Sequence, residues 1–465
     1  MKIPSFLDAK KRSKCKTNII RNYIVDNKYI NIGLNKKYFI RTYGCQMNER
    51  DSETISGILE QMGYEKASNY MDADLILLNT CAIRENAHNK VFGMLGRLKN
   101  LKESKDIIVG FCGCMAQEKD VVEEIINNKK FVDFVIGTHN INELPRIISE
   151  CGDDRIIEVL SNSDYIIEDM PSKRESKYKA FVNISYGCDN FCTYCIVPYT
   201  RGKEKSRLKE DIINEVKELV NKGYKEVTLL GQNVNSYGKD LGYSFTELLR
   251  EVSDTGIERL KFVTSNPWDF KLEIIDLMVE RKNIIPYIHL PVQSGSNSVL
   301  KLMGRKYTRE QYIELVNYIR NKIKGCSITT DIIVGFPNES DEDFKFTLDL
   351  VNKCKFDGAY TFIYSPRIGT PASLIEDCVS FSEKEKRLSA LNVLINKYSL
   401  KSNQMLVDKV VSVLIDNKSD KDNMYVGYTD TNKLINVKCE YDCIGKIIDV
   451  KVTCAKSWSL YGEVL

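Results

Sequence analysis

Residues 185–207, S-Y-G-C-D-N-F-C-T-Y-C-I-V-P-Y-T-R-G-K-E-K-S-R, decide how the rest of this 465-residue chain is read. They set Cys188, Cys192 and Cys195 in a C-x3-C-x2-C spacing, with Tyr194 directly before the last thiol. Three thiolates this close can ligate three irons of a cubane cluster, leaving the fourth iron open to a substrate or cofactor. A structural zinc site needs a fourth ligand, and the nearest Cys or His on either side are the distant Cys151 and His289. An electron-transfer ferredoxin supplies its fourth thiolate close by, and none follows here. A chance grouping of three among fifteen cysteines is the remaining alternative.

The spacing, with its aromatic before the third Cys, resembles that of the radical S-adenosylmethionine (SAM) enzymes. The resemblance implies a [4Fe–4S] cluster whose open iron chelates the amino and carboxylate groups of SAM. Electron transfer then cleaves the cofactor to a 5'-deoxyadenosyl radical, and the protein supplies orientation and exclusion of side reactions.

Composition bounds the rest. Hydrophobic residues at 43% and charged residues at 28% suit a globular protein of several domains. The N-terminus, M-K-I-P-S-F-L-D-A-K-K-R, lacks the apolar core of a signal peptide. No apolar run reaches the roughly 18 residues of a membrane helix, so no membrane partner and a cytoplasmic location are expected. In that reducing compartment fifteen cysteines point to metal or redox chemistry rather than disulfides. Net charge is +3, but residues 1–37 carry ten Lys or Arg against Asp8 and Asp26, so this arm is +8 and the remainder −5. Such an arm either touches phosphates or is a solvated tail.

Residues 36–150 alternate apolar runs (38–43, 75–78, 107–111, 134–136) with helical patterns (51–62, 85–101, 117–126, 142–149), which predicts four β-α units and a parallel sheet. Cys45, Cys81 and Cys114 each fall just after one of the first three strands, where open α/β sheets place their binding crevice. Separations of 36 and 33 residues are one β-α unit each, so three distant thiols converge and a second cluster with three protein ligands is expected. Three unrelated buried cysteines are the alternative. Cys112, two residues before Cys114, is a rival ligand expected to point the same way.

T-Y-G-C-Q-M-N-E-R-D-S-E (residues 42–53), N-T-C-A-I-R-E (79–85) and G-C-M-A-Q (113–117) resemble the N-terminal domain of the methylthiotransferases. The resemblance implies that Cys45, Cys81 and Cys114 hold an auxiliary [4Fe–4S] cluster. It also favours Cys114 over Cys112, because the family usually lacks Cys at the latter position.

A polar, acidic linker is expected over 151–173, and a second β-α series begins after it. Strand-like runs at 181–185, 227–230, 259–264, 287–290, 328–334 and 358–363, separated by helical stretches, predict a partial (β/α)6 barrel over 174–404 with its chemistry at the C-terminal strand ends. L-L-G-Q-N-V-N-S-Y-G (229–238), T-S-N-P-W (264–268), H-L-P-V-Q-S-G-S (289–296) and D-I-I-V-G-F-P (331–337) fall on those ends. Gln232, Ser265 and Gln293 are candidates to hydrogen-bond SAM, and Tyr194 to pack on its adenine. Each taken singly also reads as an ordinary strand-to-helix turn residue. His289 is left out of the ligand set. The R-G-K-E-K-S-R run (201–207) either meets substrate phosphates or is a solvated loop.

A helix capped by Ser382 and Glu385 is expected over 382–404, and short alternating runs over 405–465 predict a small OB-like β-barrel. G-Y-T-D-T-N-K-L (427–434) through L-Y-G (460–462) resembles the TRAM domain, an RNA-binding module common in tRNA-modifying enzymes. Eight Lys stand against nine Asp or Glu there, so Tyr425 and Tyr428 are candidates to stack on bases instead. The chain thus divides into a basic arm (1–35), an auxiliary-cluster domain (36–150), a linker (151–173), a SAM core (174–404) and a TRAM domain (405–465).

The T-Y-G-C-Q-M-N-E-R-D-S-E and L-P-V-Q-S-G-S versions resemble the tRNA branch of the methylthiotransferases. That implies conversion of N6-dimethylallyladenosine at tRNA position 37 to its 2-methylthio form. Two [4Fe–4S] clusters, SAM, a tRNA anticodon stem-loop, an electron donor and a sulfur source are implied with it. The alternatives are a methylthiotransferase for threonylcarbamoyl-adenosine or for a ribosomal-protein aspartate, and a non-catalytic iron–sulfur RNA-binding protein.

Overall fold

Apolar strands separated by amphipathic helices build the first domain in a computed structural model that describes residues 9–11, 17–82, 85–152, 154–160, 163–419 and 423–465. In order come β1 (Asn18–Ile20), β2 (Lys37–Thr42), α1 (Gln46–Gln61), β3 (Glu65–Lys66), β4 (Leu75–Thr80), α2 (Glu85–Ser104), β5 (Ile108–Gly113), α3 (Lys119–Asn128), β6 (Phe134–Ile136), α4 (Leu144–Glu150), β7 (Ile156–Glu158) and β8 (Tyr165–Ile167). Six of these strands form a parallel sheet in the order β3-β2-β4-β5-β6-β7. Strand β4 is buried on both faces. Ile76 and Leu78 enter a core with α2, and Leu75 and Leu77 enter a core with α1, as the two-residue period of a strand requires. The strand order reverses at β2, with β3 on one side and β4 on the other, which opens a crevice at the C-terminal strand ends.

Two expectations change here. The linker over 151–173 carries strands: β7 extends the sheet beside β6, and β8 pairs in parallel with β1 of the basic arm. Their apolar runs, Ile156-Ile157 and Ile166-Ile167, are too short to stand out among acidic neighbours. Arg21 of the arm pairs with Asp211 of the body at 2.9 Å, so at least one of its cations is tied to protein. Residues 1–8 and 12–16 of the arm lie outside the described residues, as do 83 and 84 of the N-T-C-A-I-R-E motif.

The second series comprises β9 (Lys179–Asn183), β10 (Ser185–Tyr186), α5 (Val197–Thr200), β11 (Lys205–Ser206), α6 (Lys209–Asn221), β12 (Glu226–Leu230), α7 (Phe245–Ser253), β13 (Arg259–Phe262), α8 (Leu272–Glu280), β14 (Tyr287–His289), α9 (Asn297–Leu302), α10 (Arg309–Lys322), β15 (Ser327–Val334), α11 (Asp341–Cys354), β16 (Gly358–Ile363) and α12 (Phe381–Gln404). The six main strands form two parallel three-stranded pieces, β9-β12-β13 and β14-β15-β16, joined by a bridge from Leu260 to Ile284. One face packs on the outer helices through Val227, Leu229, Phe262, Ile328 and Ile332. The other face lines a lumen. The result is the expected partial barrel. Helix α12 is capped by Ser380, whose hydroxyl accepts from the Glu383 N–H, and not by Ser382. The chain offers S-x-x-E twice in succession, and the earlier copy starts the helix.

Strands β17 (Val410–Lys418), β18 (Met424–Thr429), β19 (Leu434–Lys438), β20 (Ile447–Ala455) and β21 (Leu460–Val464) close into a small barrel. It sits against the N-terminal strand ends of the core, where Arg259 donates to the Tyr428 carbonyl at 2.9 Å and Lys261 to Asn432 at 3.0 Å. Tyr425 is no base-stacking platform, because alternation along β18 turns its ring into the barrel interior with Val437 and Val450. Tyr428 is half-buried beneath the Lys179 ammonium, which lies 4.9 Å from its ring centre.

Candidate active site

The local thiol set is shaped by backbone that departs from regular structure. Gly187 has φ 69°, and a Cβ there would lie 2.0 Å from the Lys203 carbonyl oxygen, so glycine alone lets the loop close on its return strand. The Cys188 N–H donates to the Gly202 carbonyl at 3.1 Å, and the Thr193 N–H to that of Met303 at 3.0 Å. Arg305 lies 4.8 Å over the Trp268 ring and donates towards the Cys192 sulfur at 3.5 Å. Burial, followed by the charge of Cys192, pushes the Cys195 thiol up to about 12. Burial, Glu204 and Cys195 likewise raise Cys188. Thiols this close raise one another until a cation takes their protons' place.

The second set is assembled by the sheet. Cys45 follows β2 and caps the N-terminus of α1, Cys81 follows β4, and Cys114 follows β5. A hydrogen bond with Cys81, together with the Arg201 charge and the Asn48 and Met47 N–H groups, outweighs burial and brings the Cys45 thiol down to about 5. Asn48 Oδ1 accepts from Cys45 at 3.6 Å and from Cys114 at 3.7 Å. Arg201 donates from Nε to the Cys114 sulfur at 3.0 Å, and from Nη2 to Asn48 at 2.9 Å and Asp51 at 2.8 Å. Burial pushes Cys114 up to about 11 against that arginine. All three thiols are thus brought to the crevice at the strand ends, around Asn48 and Arg201.

The two sets adjoin. Cys114 packs with Ile196, the residue after Cys195, and with Tyr199 one turn further on. Cys45 and Met47 pack into the barrel lumen against Leu230, Val263, Ile285 and Tyr287. The donors are thiols, with no imidazole or carboxylate in either set, which is the chemistry of iron–sulfur ligation. Among the described residues, no three His, Cys, Asp or Glu side chains gather around the position of a single ion.

The same three units appear in comparisons with known proteins. The chain matches the radical SAM superfamily over residues 182–351, an uncharacterized family designated UPF0004 over 37–137, and the TRAM domain over 404–465. It is 51% identical to the tRNA-2-methylthio-N(6)-dimethylallyladenosine synthase of Bacillus cytotoxicus, across 99% of this chain and 92% of that protein. The enzymes of the same name from Shouchella clausii and Staphylococcus aureus are 51% and 50% identical, with 90% and 91% of their lengths covered. The chain belongs to the tRNA-2-methylthio-N(6)-dimethylallyladenosine synthase family.

Among solved structures, the radical SAM methyltransferase TsrM from Kitasatospora setae, with tryptophan and a SAM analogue bound, superposes with a TM-score of 0.53 at 16% identity. The match covers 73% of this chain and 75% of that one and supports the fold alone. Members of the radical SAM superfamily use SAM and an iron–sulfur cluster, and β/α barrels bind their ligands at the C-terminal strand ends. The side chains there suit a polar cofactor. Ser265 Oγ, Ser185 Oγ, Asn183 Oδ1 and Asn266 Oδ1 are buried with no hydrogen-bond partner among the described residues. Gln293, at φ 72°, is held in the sheet by its own N–H to the Asp331 carbonyl at 2.8 Å. Gln232 turns its amide to the Met47 sulfur, between the SAM end of the barrel and the second thiol set. Tyr194 packs against the buried group that holds Phe336 and Tyr364. Gln232, Ser265 and Gln293 therefore line the strand ends, while Tyr194 reaches them from the cluster loop.

Two readings need correction. Cys112 does not share a face with Cys114; it packs among Leu75, Leu77 and Phe134 in the opposite core. Gly113, at φ 94°, breaks the strand alternation between the two cysteines. A Cβ on it would meet Asn79 Oδ1 and the Thr80 carbonyl at 2.4 Å. The R-G-K-E-K-S-R run is neither phosphate-facing nor solvated, since Arg201, Lys203, Lys205 and Arg207 are only 4–8% exposed. Arg207 forks onto Glu168 at 2.6 and 2.9 Å and reaches Glu215 at 2.7 Å, in a buried network with Arg50, Arg174 and Glu53. Sequence reading also missed Asn48 and Arg305 as partners of the thiols, and Asp51 as the partner of Arg201. Asn48 and Asp51 lie within the N-E-R-D that follows Cys45, but nothing in the chain marks Arg305.

Proposed function

We propose that this chain converts N6-dimethylallyladenosine at tRNA position 37 to 2-methylthio-N6-dimethylallyladenosine. The observation that carries this is the second thiol set opening into the barrel lumen beside the first, in a chain 51% identical over 99% of its length to synthases of that name. Cys188, Cys192 and Cys195 are the ligands for one [4Fe–4S] cluster, and Cys45, Cys81 and Cys114 for another. When bound, the first cluster and SAM supply the hydrogen-abstracting radical, and the second holds the sulfur to be transferred.

The residues do the remaining work. Arg305 orients the Cys192 sulfur, and Asn48 with Arg201 orients Cys45 and Cys114. Ser265, Gln232, Gln293 and Tyr194 bind and align SAM. Met47, Leu230, Val263, Ile285 and Tyr287 close the lumen floor and keep water from the reacting carbon. The C–H at adenine C2 is neither acidic nor a leaving group, so a radical route suits it. The base must be turned out of the anticodon stack to reach the lumen. A further SAM as methyl donor, an electron donor and a sulfur source complete the reaction, and its tRNA substrate puts the enzyme in the cytoplasm. No helix among the described residues is long and apolar enough to cross a membrane.

The test is anaerobic reconstitution with iron, sulfide, SAM and reductant on a prenylated anticodon stem-loop. The expected result is about eight irons per chain, 5'-deoxyadenosine and the methylthio nucleoside by mass spectrometry. SAM cleavage without a methylthio product on prenylated RNA, but with one on threonylcarbamoyl-adenosine, would overturn the substrate assignment.

A further inference from the structure

The lumen face of the barrel's last strands carries aromatic side chains that the described residues leave about half exposed. Strand β16 presents Tyr360 at 59% and Phe362 at 44% exposure. Their neighbours in the strand point the other way: Ala359 joins the core under the outer helices, and Thr361 donates to Asn392 of α12 at 2.6 Å. Tyr360 and Phe362 therefore face the lumen. In register beside them on β15 stand Asp331 and Ile333. Ile333 and Tyr194 of the cluster loop pack against the same buried group, which includes Phe336 and Tyr364. Tyr360 makes an edge contact with His289 at 5.9 Å, and His289 shares Thr329 with Tyr287, which packs against Met47 beside Cys45. The wall thus runs from one thiol set towards the other, and Gly358, opposite Thr329, leaves room below the rings.

We infer that Tyr360 and Phe362 form the wall that receives the branched five-carbon group on N6 of the substrate adenine, and so set the enzyme's preference for prenylated RNA. This rests on the proposed function and adds its substrate subsite. An apolar group leaving water needs an apolar partner, and aromatic rings standing exposed in the lumen supply one. The polar row of Asp331 and His289, whose Nε2 lies 3.4 Å from the carboxylate, flanks the same wall and suits the heteroatom edge of a purine.

The experiment titrates the full-length, cluster-reconstituted protein with labelled anticodon stem-loops carrying either adenosine or N6-dimethylallyladenosine at position 37. Phe362→Ala and Tyr360→Ala are expected to weaken binding of the prenylated RNA roughly tenfold, the scale of lost contact to an apolar substituent. Affinity for the plain RNA stays within about twofold, so the preference collapses. Phe362→Leu and Tyr360→Phe, which keep apolar surface, retain it. Equal weakening for both RNAs, or an intact preference in both alanine variants, overturns the inference. A wild-type protein that binds both RNAs alike and yields no methylthio product from either removes the functional reading itself, an outcome seen before any variant is made.

Discussion

Cys188, Cys192 and Cys195 lie in one eight-residue loop, whereas Cys45, Cys81 and Cys114 come from three strand ends 36 and 33 residues apart. The first set needs only a few loop contacts: Gly187 against Lys203, Cys188 on Gly202 and Thr193 on Met303. The second exists only once β2, β4 and β5 are paired in register and the SAM core has delivered Arg201 to Cys114. A loop can keep its ligands together when its surroundings loosen. A crevice cannot, because its ligands are as far apart in the unfolded chain as the intervening β-α units.

The sharpest way to break this comparison is to remove one ligand from the assembled set. Cys114→Ala is expected to abolish methylthiolation and to lose about half the iron, leaving the SAM-cleaving cluster in place. Cys112→Ala keeps its full iron complement, since that thiol faces the opposite core. Iron and sulfide quantification on anaerobically purified variants checks both, and half-loss in Cys112→Ala would exchange the two roles.

Next in size is the buried network that holds the auxiliary domain on the barrel. Glu215 takes Arg207 at 2.7 Å and also pairs with Arg174 and, at 3.6 Å, with Arg50. Against the upward push of burial, the charges of Arg207, Arg50 and Arg174 hold its carboxyl at about 2. Glu215→Ala takes one carboxylate from three arginines that keep Glu168 and Glu53, and a loss of about 3 kcal/mol, the low end for a broken buried pair, is expected in urea unfolding. Because the folded value is depressed, this contribution is fully present above the ordinary carboxylate range near 4.5 and is lost as pH falls towards about 2. Acid unfolding should therefore be displaced in Glu215→Gln relative to wild type. Iron retained on Cys188, Cys192 and Cys195 but lost from the other set would show that the network serves the crevice more than the loop.

The smallest effect sharpens the comparison at one bond. Arg201→Gln removes the N–H donated to the Cys114 sulfur, and hydrogen bonds to cluster sulfurs raise reduction potentials. A lower midpoint for the auxiliary cluster, with the SAM-side cluster unmoved, is the expected result of a spectroscopic redox titration. Equal shifts of both clusters would mean that Arg201 acts through general structure.

Much of the fold was legible because its signals are local. Parallel strands buried on both faces read as apolar runs, as at Leu75–Thr80, and closely spaced thiols read as a ligand set without any tertiary knowledge. The short strands Ile156–Glu158 and Tyr165–Ile167 were not legible, since they owe their pairing to partners far away in the chain. The cationic run after the cluster loop misled for a related reason. Charge is visible in sequence, but whether a carboxylate waits for it is not, and Glu168, Glu215 and Asp51 lie on three separate segments.

Sequence alone determined the strand-and-helix alternation, the local thiols and the convergence of the distant ones, because periodicity and spacing are properties of neighbouring residues. Only the tertiary structure decided that Cys112 turns away, that Arg201 bridges core and auxiliary domain, and that the described residues leave Tyr360 and Phe362 exposed in the lumen. Each of those depends on which surface a side chain meets after the backbone has folded, and that is set by packing between segments that carry no trace of one another in the chain.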